Sequence, residues 1–471
     1  MNLNIILFLC VIAYVVGLLN KNPWRKYSVF ILNIILILFL QPNLAIRNLQ
    51  FWLPSVILIL TIISWVIIRN SEKYKLLSIV KPIGLIITTY LILFFLINIG
   101  VLEKLFNPIQ LQNLLLFGGL LALSIGLSLL KEKELKTTPW MILIISIFVL
   151  LKTPQLTTLV SKGLRILTHQ SLDLARNTDI SWFGFSYIAF RIIHTLRDHE
   201  SGRLPEVDLI EYINYVTFFP TLTAGPIDRI EHFQKSFNAT DISLNDRLIL
   251  GGKRIIIGLF KKFVIADLLS IIAINEMNVT QIHNAFWMWI SVYAYAFLIY
   301  FDFSGYTDIA IGMAQLMRIE IPENFTSPYL KKNLTLFWNS WHITLTQFFR
   351  SYFFNPVTRY LRTGTRKWSV WLIILFTQIS TMILIGLWHG IILNFITWGL
   401  WHGIGLFVQN RWSNLVGPRI EPNSSNKNQA YVLNGAGIFL TFNFVSLGWV
   451  FFALPRLDLS ITTFRVLIGA G

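Results

Sequence analysis

Charge is what this sequence has least of. Asp, Glu, Lys and Arg together make up 13% of its 471 residues, about half the share usual in a soluble domain. Hydrophobic residues account for 55% and mean hydropathy is +0.62. The apolar residues come in long blocks from end to end, which a large soluble core does not require. Cysteine is almost missing: the lone Cys10 excludes an intrachain disulfide and any cysteine-cluster metal site. Also missing are an HExxH pair, a P-loop, a nucleophile elbow and a dinucleotide fingerprint. Bound-ATP coupling and serine-esterase chemistry therefore have no support, and no metal site is expected.

Acidic residues are the scarcer sign, 23 against 39 Lys and Arg, for a net charge of +16. In a soluble protein that balance would suggest nucleic acid. Here the basic residues fall mainly between apolar blocks, where anionic headgroups and the positive-inside rule explain them. Membrane lipids are the expected partner, and no nucleic acid. Residues 1–4 carry no basic side chain, so the apolar stretch 5–19 reads as a retained first helix rather than a signal peptide.

What is there is an all-α, polytopic membrane protein. Apolar stretches at 3–19, 28–41, 51–68, 83–101, 111–130 and 139–151 are each long enough to span or nearly span. They form an expected scaffold over residues 1–151. Lys21, Arg25 and Lys26, then Arg69, Lys73, Lys75 and Lys81, then Lys131, Lys133 and Lys136 mark alternate connections. By that bias the N-terminus faces outward. Residues 161–181 read as a surface or interfacial segment. The short apolar run 212–226, punctuated by Pro220, Gly225 and Pro226, predicts broken or re-entrant backbone, tolerated only where protein or a cavity shields it. An aromatic-rich span is expected at 284–300, a half-span at 303–317, an amphipathic stretch at 337–354, and further spans at 368–387, 391–408 and 432–454. Residues 417–428 read as an exposed connector and 455–471 as a C-terminal tail. The total is about ten to thirteen crossings, with no internal repeat of the kind many transporters carry.

Ionisable groups inside apolar sequence face a protein interior or cavity. Three clusters qualify: Tyr300–Asp308, with Asp302 and Asp308 six apart; Phe337–His342, followed by Arg350; and Gly386–Gly390, carrying His389 ahead of a second Trp-His-Gly at 401–403. An unperturbed imidazole titrates near about 6.5, so His389 could take a proton from an alcohol; the alternative is a packing histidine bonded to a carbonyl. His342 could line the same cavity or its mouth, or lie on a helix surface. His402 reads as structural. Asp302 and Asp308 could orient a histidine, pair with a basic residue, or brace broken helices.

These clusters, with Ser186-Tyr187, Phe190-Arg191, Phe218-Phe219-Pro220, Ala224-Gly225-Pro226, Asn324-Phe325 and Pro328-Tyr329 between them, resemble the membrane-bound O-acyltransferase family. The likeness covers residues 182–452 and is nearest the branch that acetylates alginate or transfers D-alanine to lipoteichoic acid. It implies a ring of helices around a thin central funnel, a catalytic core over 152–454, His389 as the essential intramembrane histidine and His342 as a second, cytoplasmic-side one. Trp388, Trp341, Asn324, Tyr329 and Arg350 are implied passage or positioning residues; Asp302, Asp308, Pro220, Gly225 and Pro226 are structural or orienting. Two departures stand out. Asn339 and Ser340 occupy positions where the family often has arginines, and Ala453 ends a Trp-Val-Phe-Phe run that usually continues to arginine.

The implied reaction is acyl transfer, acetyl foremost, with no tightly bound cofactor. An acyl thioester of the acetyl-CoA or acyl-carrier-protein type is the expected donor, and a hydroxyl of an exported or cell-surface glycan the acceptor. A periplasmic or surface acyltransferase is an expected partner, and the inner (plasma) membrane the expected location. D-alanyl transfer to teichoic acid is the alternative within catalysis, and a proton-coupled transporter or flippase the alternative outside it.

Overall fold

The computed structural model describes residues 2–18, 24–70, 77–129, 136–239, 244–364, 368–416 and 427–470. The orienting lysines 21, 73, 75, 131 and 133, and most of the connector at 417–428, lie outside them. The described residues form helices and no strand, with one isolated bridge between Phe325 and Trp341. This all-α result follows from the apolar runs themselves: in a bilayer, a helix satisfies every backbone polar group within its own segment.

Five helices among the described residues are long and apolar enough to cross a membrane: Leu49–Ile68, Ser78–Asn98, Ala285–Leu316, Val370–His389 and Asn428–Ala453. Counting one bent pair makes six, and Leu3–Leu18 and Leu111–Gly126 are shorter apolar helices. By length and composition, and among the described residues, this is fewer than the number of crossings expected.

The chain divides into two compact units, Met1–Lys253 with Ala310–Ile321, and Arg254–Ile309 with Pro322–Gly471. In the first, α1 (Leu3–Leu18), α2 (Arg25–Leu40), α3 (Leu49–Ile68), α4 (Leu77–Asn98), α5 (Leu111–Leu129) and α6 (Thr137–Lys152) follow the apolar stretches closely. Helix α3 is apolar nearly all round and accordingly buried, packing against α5, α8 (Phe185–Glu200) and α9 (Leu209–Val216). A 97° bend separates α6 from α7 (Pro154–Leu167). Pro154 opens α7, where its missing N–H costs nothing. Helix α7 exposes Leu159, Ile166 and Leu167 while Arg165 bonds buried Asp179 at 2.9 Å, the pattern of a helix lying along an interface.

The broken segment after α9 is built as expected. Buried Arg191 donates to the carbonyls of Tyr215, Val216 and Thr221 at 3.2, 2.8 and 3.0 Å. It thereby satisfies backbone that the short turn Phe219–Thr221, with Pro220 inside it, cannot pair internally. A Cβ on Gly225 would sit 2.6 Å from Thr221 Cα, so the turn closes only around glycine. Pro226 follows it, buried. Helices α10 (Ile230–Asn238) and α11 (Leu244–Phe260) come next, and α11 continues through a π-helical stretch, Lys261–Ala266, into α12 (Asp267–Ser270).

One sequence expectation changes. Residues 284–300 and 303–317 are not a span and a half-span; they form one 32-residue helix, α13 (Ala285–Leu316). Its two carboxylates do not break it because each has a cationic partner, as described below. The amphipathic stretch at 337–354 is built from several short elements. It divides into α14 (Leu334–Trp338), α15 (Ile343–Phe349) and a π-helical stretch, Arg350–Phe354, leading into α16 (Asn355–Thr363). The break is at His342, whose backbone is left-handed at φ 42°. Helices α17 (Val370–His389), α18 (Leu393–Leu415) and α19 (Lys427–Ala453) occupy the three late spans, and residues 457–467 of the C-terminal tail form α20 (Leu457–Leu467).

Candidate functional site

The site residues of the second unit are placed by one turn and one helical hairpin. The turn runs from Asn324 to His342. Asn333 caps α14 by accepting from the Leu336 N–H at 2.9 Å. The Thr326 N–H donates to the Ser340 carbonyl at 3.1 Å and the Ile343 N–H to the Asn324 carbonyl at 3.0 Å, so two distant stretches lie side by side. The Asn324 carboxamide oxygen accepts from the Thr344 hydroxyl at 2.6 Å. These bonds hold His342 in a conformation that costs an L-residue roughly 1–3 kcal/mol, strain that concentrates at functional sites.

The hairpin is α17 against α18. Its closeness is set by Gly386, where an added Cβ would meet the Phe395 carbonyl oxygen at 2.2 Å. Only glycine allows that approach, and it brings Trp388 and His389, at the end of α17, against the start of α18.

The His342 ring is almost fully buried, 2% exposed. It meets Phe303 edge-on at 4.7 Å and Trp388 at 5.9 Å between centroids. Neither ring nitrogen has a hydrogen-bond partner among the described residues. Burial without a compensating bond pushes its pKa down to about 3, so the ring stays neutral at physiological pH. His389 is only partly buried. Its ring packs with Trp388 at 4.5 Å, Phe452 at 4.7 Å, Phe395 at 5.8 Å and Trp398 at 5.9 Å. The indole of Trp388 therefore touches both imidazoles, one buried and one partly open.

An aromatic wall continues from there. Trp341 packs with Trp449 at 4.9 Å and with Tyr329 at 5.7 Å. The Trp449 Nε1–H donates to the Tyr329 hydroxyl at 3.1 Å, which donates to the Ala296 carbonyl at 2.7 Å. Asn324, Tyr329, Trp341, His342, Trp388 and His389 are thus linked through direct contacts and paired backbone. Arg350 is not part of that group. It is exposed and bonds the Asn339 carboxamide at 2.6 Å. Pro220, Gly225 and Pro226 belong to the first unit. His402 is fully buried between Trp398 at 5.0 Å and Trp338 at 5.2 Å.

Asp302 and Asp308 pair with cations. Asp308 accepts from Arg254 Nε at 2.8 Å and Lys261 Nζ at 2.7 Å, and Asp302 accepts from Lys262. Arg254 also forms a two-pronged pair with Glu323 at 2.5 Å per contact. This ladder fixes the stretch of α13 that carries Phe303 to His342. Asp302 and Asp308 stood out in the sequence, but Arg254, Lys261 and Lys262 as their partners did not. Trp398 was not singled out, and Trp449 and Phe452 entered only as part of the run before Ala453, since aromatic residues in an apolar run carry no positional signal of their own.

Among the described residues one group has metal-ligand reach: His194, Asp198 and Glu231, within 4.8 Å of one another. Two of its three members are already engaged. Asp198 accepts from Arg203 at 2.8 Å and lies 3.2 Å from His194 Nδ1, while His194 Nε2 accepts from the Ile230 N–H at 3.3 Å.

Residues 135–452 match the membrane-bound O-acyltransferase family. The chain belongs to that family. Among its relatives, it is 35% identical over 262 residues to a peptidoglycan O-acetyltransferase of Helicobacter pylori, covering 55% of this chain and 47% of that one. It is 33% identical over 309 residues to a probable alginate O-acetylase of Pseudomonas syringae pv. tomato, covering 65% and 54%. A teichoic acid D-alanyltransferase of Streptococcus thermophilus is 30% identical over 300 residues, covering 58% and 68%. The match spans about half the length of the first two relatives. The family match contains both imidazoles and the turn and hairpin that place them.

Proposed function

We propose that this chain is a membrane-embedded O-acyltransferase that moves an acetyl group from an acyl thioester to a hydroxyl of a cell-envelope polysaccharide, directly or by relay to a partner acyltransferase. The observation that carries this reading is the pair of imidazoles on one indole, inside a member of this family. The hydroxyl oxygen attacks the thioester carbonyl carbon as His389 takes the hydroxyl proton; the carbon–sulfur bond then breaks and the proton passes to the leaving sulfur. His342, kept neutral by burial, is a hydrogen-bond donor for the carbonyl oxygen as negative charge builds there. Trp341, Tyr329, Asn324 and Trp388 shape the passage and exclude water.

Acetyl is preferred because two of the relatives above are named as acetylating enzymes, one of peptidoglycan and one of alginate. D-alanyl transfer to teichoic acid is the second reading, favoured by the relative of which the chain covers 68%. The plasma membrane is proposed from the likeness to enzymes named for cell-envelope polymers, and an outward N-terminus from the Lys and Arg distribution. Mass analysis of envelope polymers from cells with and without the protein tests the function. Loss of O-acetyl esters in its absence supports the acetyl reading and loss of D-alanyl esters the second; unchanged ester content overturns both.

A further inference from the structure

Helix α7 is amphipathic the wrong way round for a helix in water. Its polar side chains face the protein: Thr157, Ser161 and Arg165, on successive turns, are each 3% exposed or less. Each is bonded there. Thr157 Oγ1 donates to the Leu150 carbonyl at 2.8 Å and Ser161 Oγ to the Asp179 carboxylate at 2.6 Å. Arg165 donates to the same carboxylate at 2.9 Å and to the Ser171 carbonyl at 3.3 Å. The apolar side chains face outward. Leu159, Ile166 and Leu167 are 65%, 60% and 77% exposed, and Leu156 shares their side of the helix.

A surface helix in water shows the opposite pattern, and a contiguous apolar face left open on a protein marks a contact. The neighbouring geometry says with what. Helix α6 has 16 residues, which at about 1.5 Å per residue makes about 24 Å of helix, close to the hydrocarbon thickness of a bilayer. It exposes Ile142, Ile145 and Val149, side chains suited to lipid. The 97° bend at Thr153 and Pro154 then turns α7 almost perpendicular to it. With α6 running across a bilayer, α7 runs along it, at the level where α6 ends. A helix in that position has lipid on one side and protein on the other, which is the division its side chains show.

We infer that α7 is a lipid-binding helix, immersed in one leaflet with Leu156, Leu159, Ile166 and Leu167 among the acyl chains. Its partner is the hydrocarbon of the bilayer rather than the headgroups. Lys162, the exposed cation of α7, lies at the edge of the apolar face, where its stem carries the ammonium to the interface. The polar face is turned away from the lipid. There the Arg165–Asp179 pair ties α7 to the turn Asn177–Asp179 on its opposite side, so residues 168–179 are carried on a ledge at the membrane surface. The inference does not rest on the acyl-transfer reading.

Single cysteines test it, since Cys10→Ser removes the native one. In that background the full chain carries Leu159→Cys, Leu167→Cys or Thr178→Cys, is labelled with bimane and is reconstituted into phosphatidylcholine bilayers. Thr178 is exposed, on the turn across the helix from the apolar face. Two quenchers are compared: phosphatidylcholine brominated on its acyl chains, and aqueous iodide. The brominated lipid quenches bimane at positions 159 and 167 about threefold more than at 178, or beyond, and iodide gives the reverse order. Bromine near the headgroup end of the chain quenches more than bromine near its tip, because the apolar face sits about 5–10 Å into the headgroup–acyl boundary. Should one leucine variant fail to fold, the other and Ile166→Cys carry the comparison. The inference is overturned if iodide reaches 159 and 167 as it reaches 178, which means a face in water. Quenching by neither agent overturns it too, since a second copy or another protein then covers the face. Stronger quenching from the chain tip also overturns it, by placing α7 across the bilayer.

Discussion

The indole of Trp388 meets the His342 ring edge-on at 5.9 Å, although the two residues come from a helix end and a strained turn 46 positions apart. Because His389 is the next residue, this contact couples the buried imidazole to the partly open one. Trp388→Ala should therefore lower kcat more than it raises KM for the donor, by about tenfold or more, as steady-state kinetics on a thioester would show. Equal kcat in variant and parent would mean that the indole holds neither ring.

His342 makes a pH prediction whose sign is fixed by burial. Its folded pKa is pushed down to about 3 from an ordinary 6.5, so between those values the unfolded chain binds more protons than the folded one. The stability linked to the neutral ring is fully present above pH 6.5 and is lost as pH falls toward 3. His342→Asn should flatten the midpoint-against-pH curve across that window. In activity, His342→Gln should reduce kcat while leaving the acid limb of the rate profile in place, since His342 does not titrate there.

The ion-pair ladder predicts an order. Asp308 is 7% exposed and has two cationic partners, whereas the Asp302 side chain is 51% exposed with one. Asp308→Asn should cost about 2 kcal/mol, between the buried and surface limits, and Asp302→Asn less than about 1 kcal/mol. Chemical denaturation in micelles measures both, and the reverse order would contradict the ladder.

Gly386→Ala introduces a methyl where the Phe395 carbonyl oxygen already stands 2.2 Å away. Separation of α17 from α18 should destabilise the chain by about 1–3 kcal/mol and displace His389, so activity should fall even in the fraction that remains folded.

Much of the first unit was legible because a run such as 51–68 can satisfy its backbone only as a helix, and α3 spans Leu49–Ile68. The three polar clusters were legible for the related reason that His342, His389 and Asp308 are costly among apolar residues. Their assembly was not. The meeting of His342 with Trp388 depends on a left-handed residue at 342, which no local pattern announces. The sequence leaves Asp302 and Asp308 free to orient a histidine, pair with a cation or brace broken helices; Lys262 and Lys261 pair with them and α13 continues through. Arg350 was drawn in by its nearness in sequence to His342, but the π-helical stretch it begins leaves it exposed, bonded to Asn339.

The central claim is that His389 takes the acceptor proton, and purified His389→Ala tests it most directly. Thioester-dependent acylation of a polysaccharide acceptor is measured alongside the unfolding midpoint, for parent and variant in the same micelles. The account predicts a loss of about 10²- to 10⁴-fold in kcat with the midpoint close to the parental value. A variant that folds and transfers acyl groups at the parental rate would contradict it.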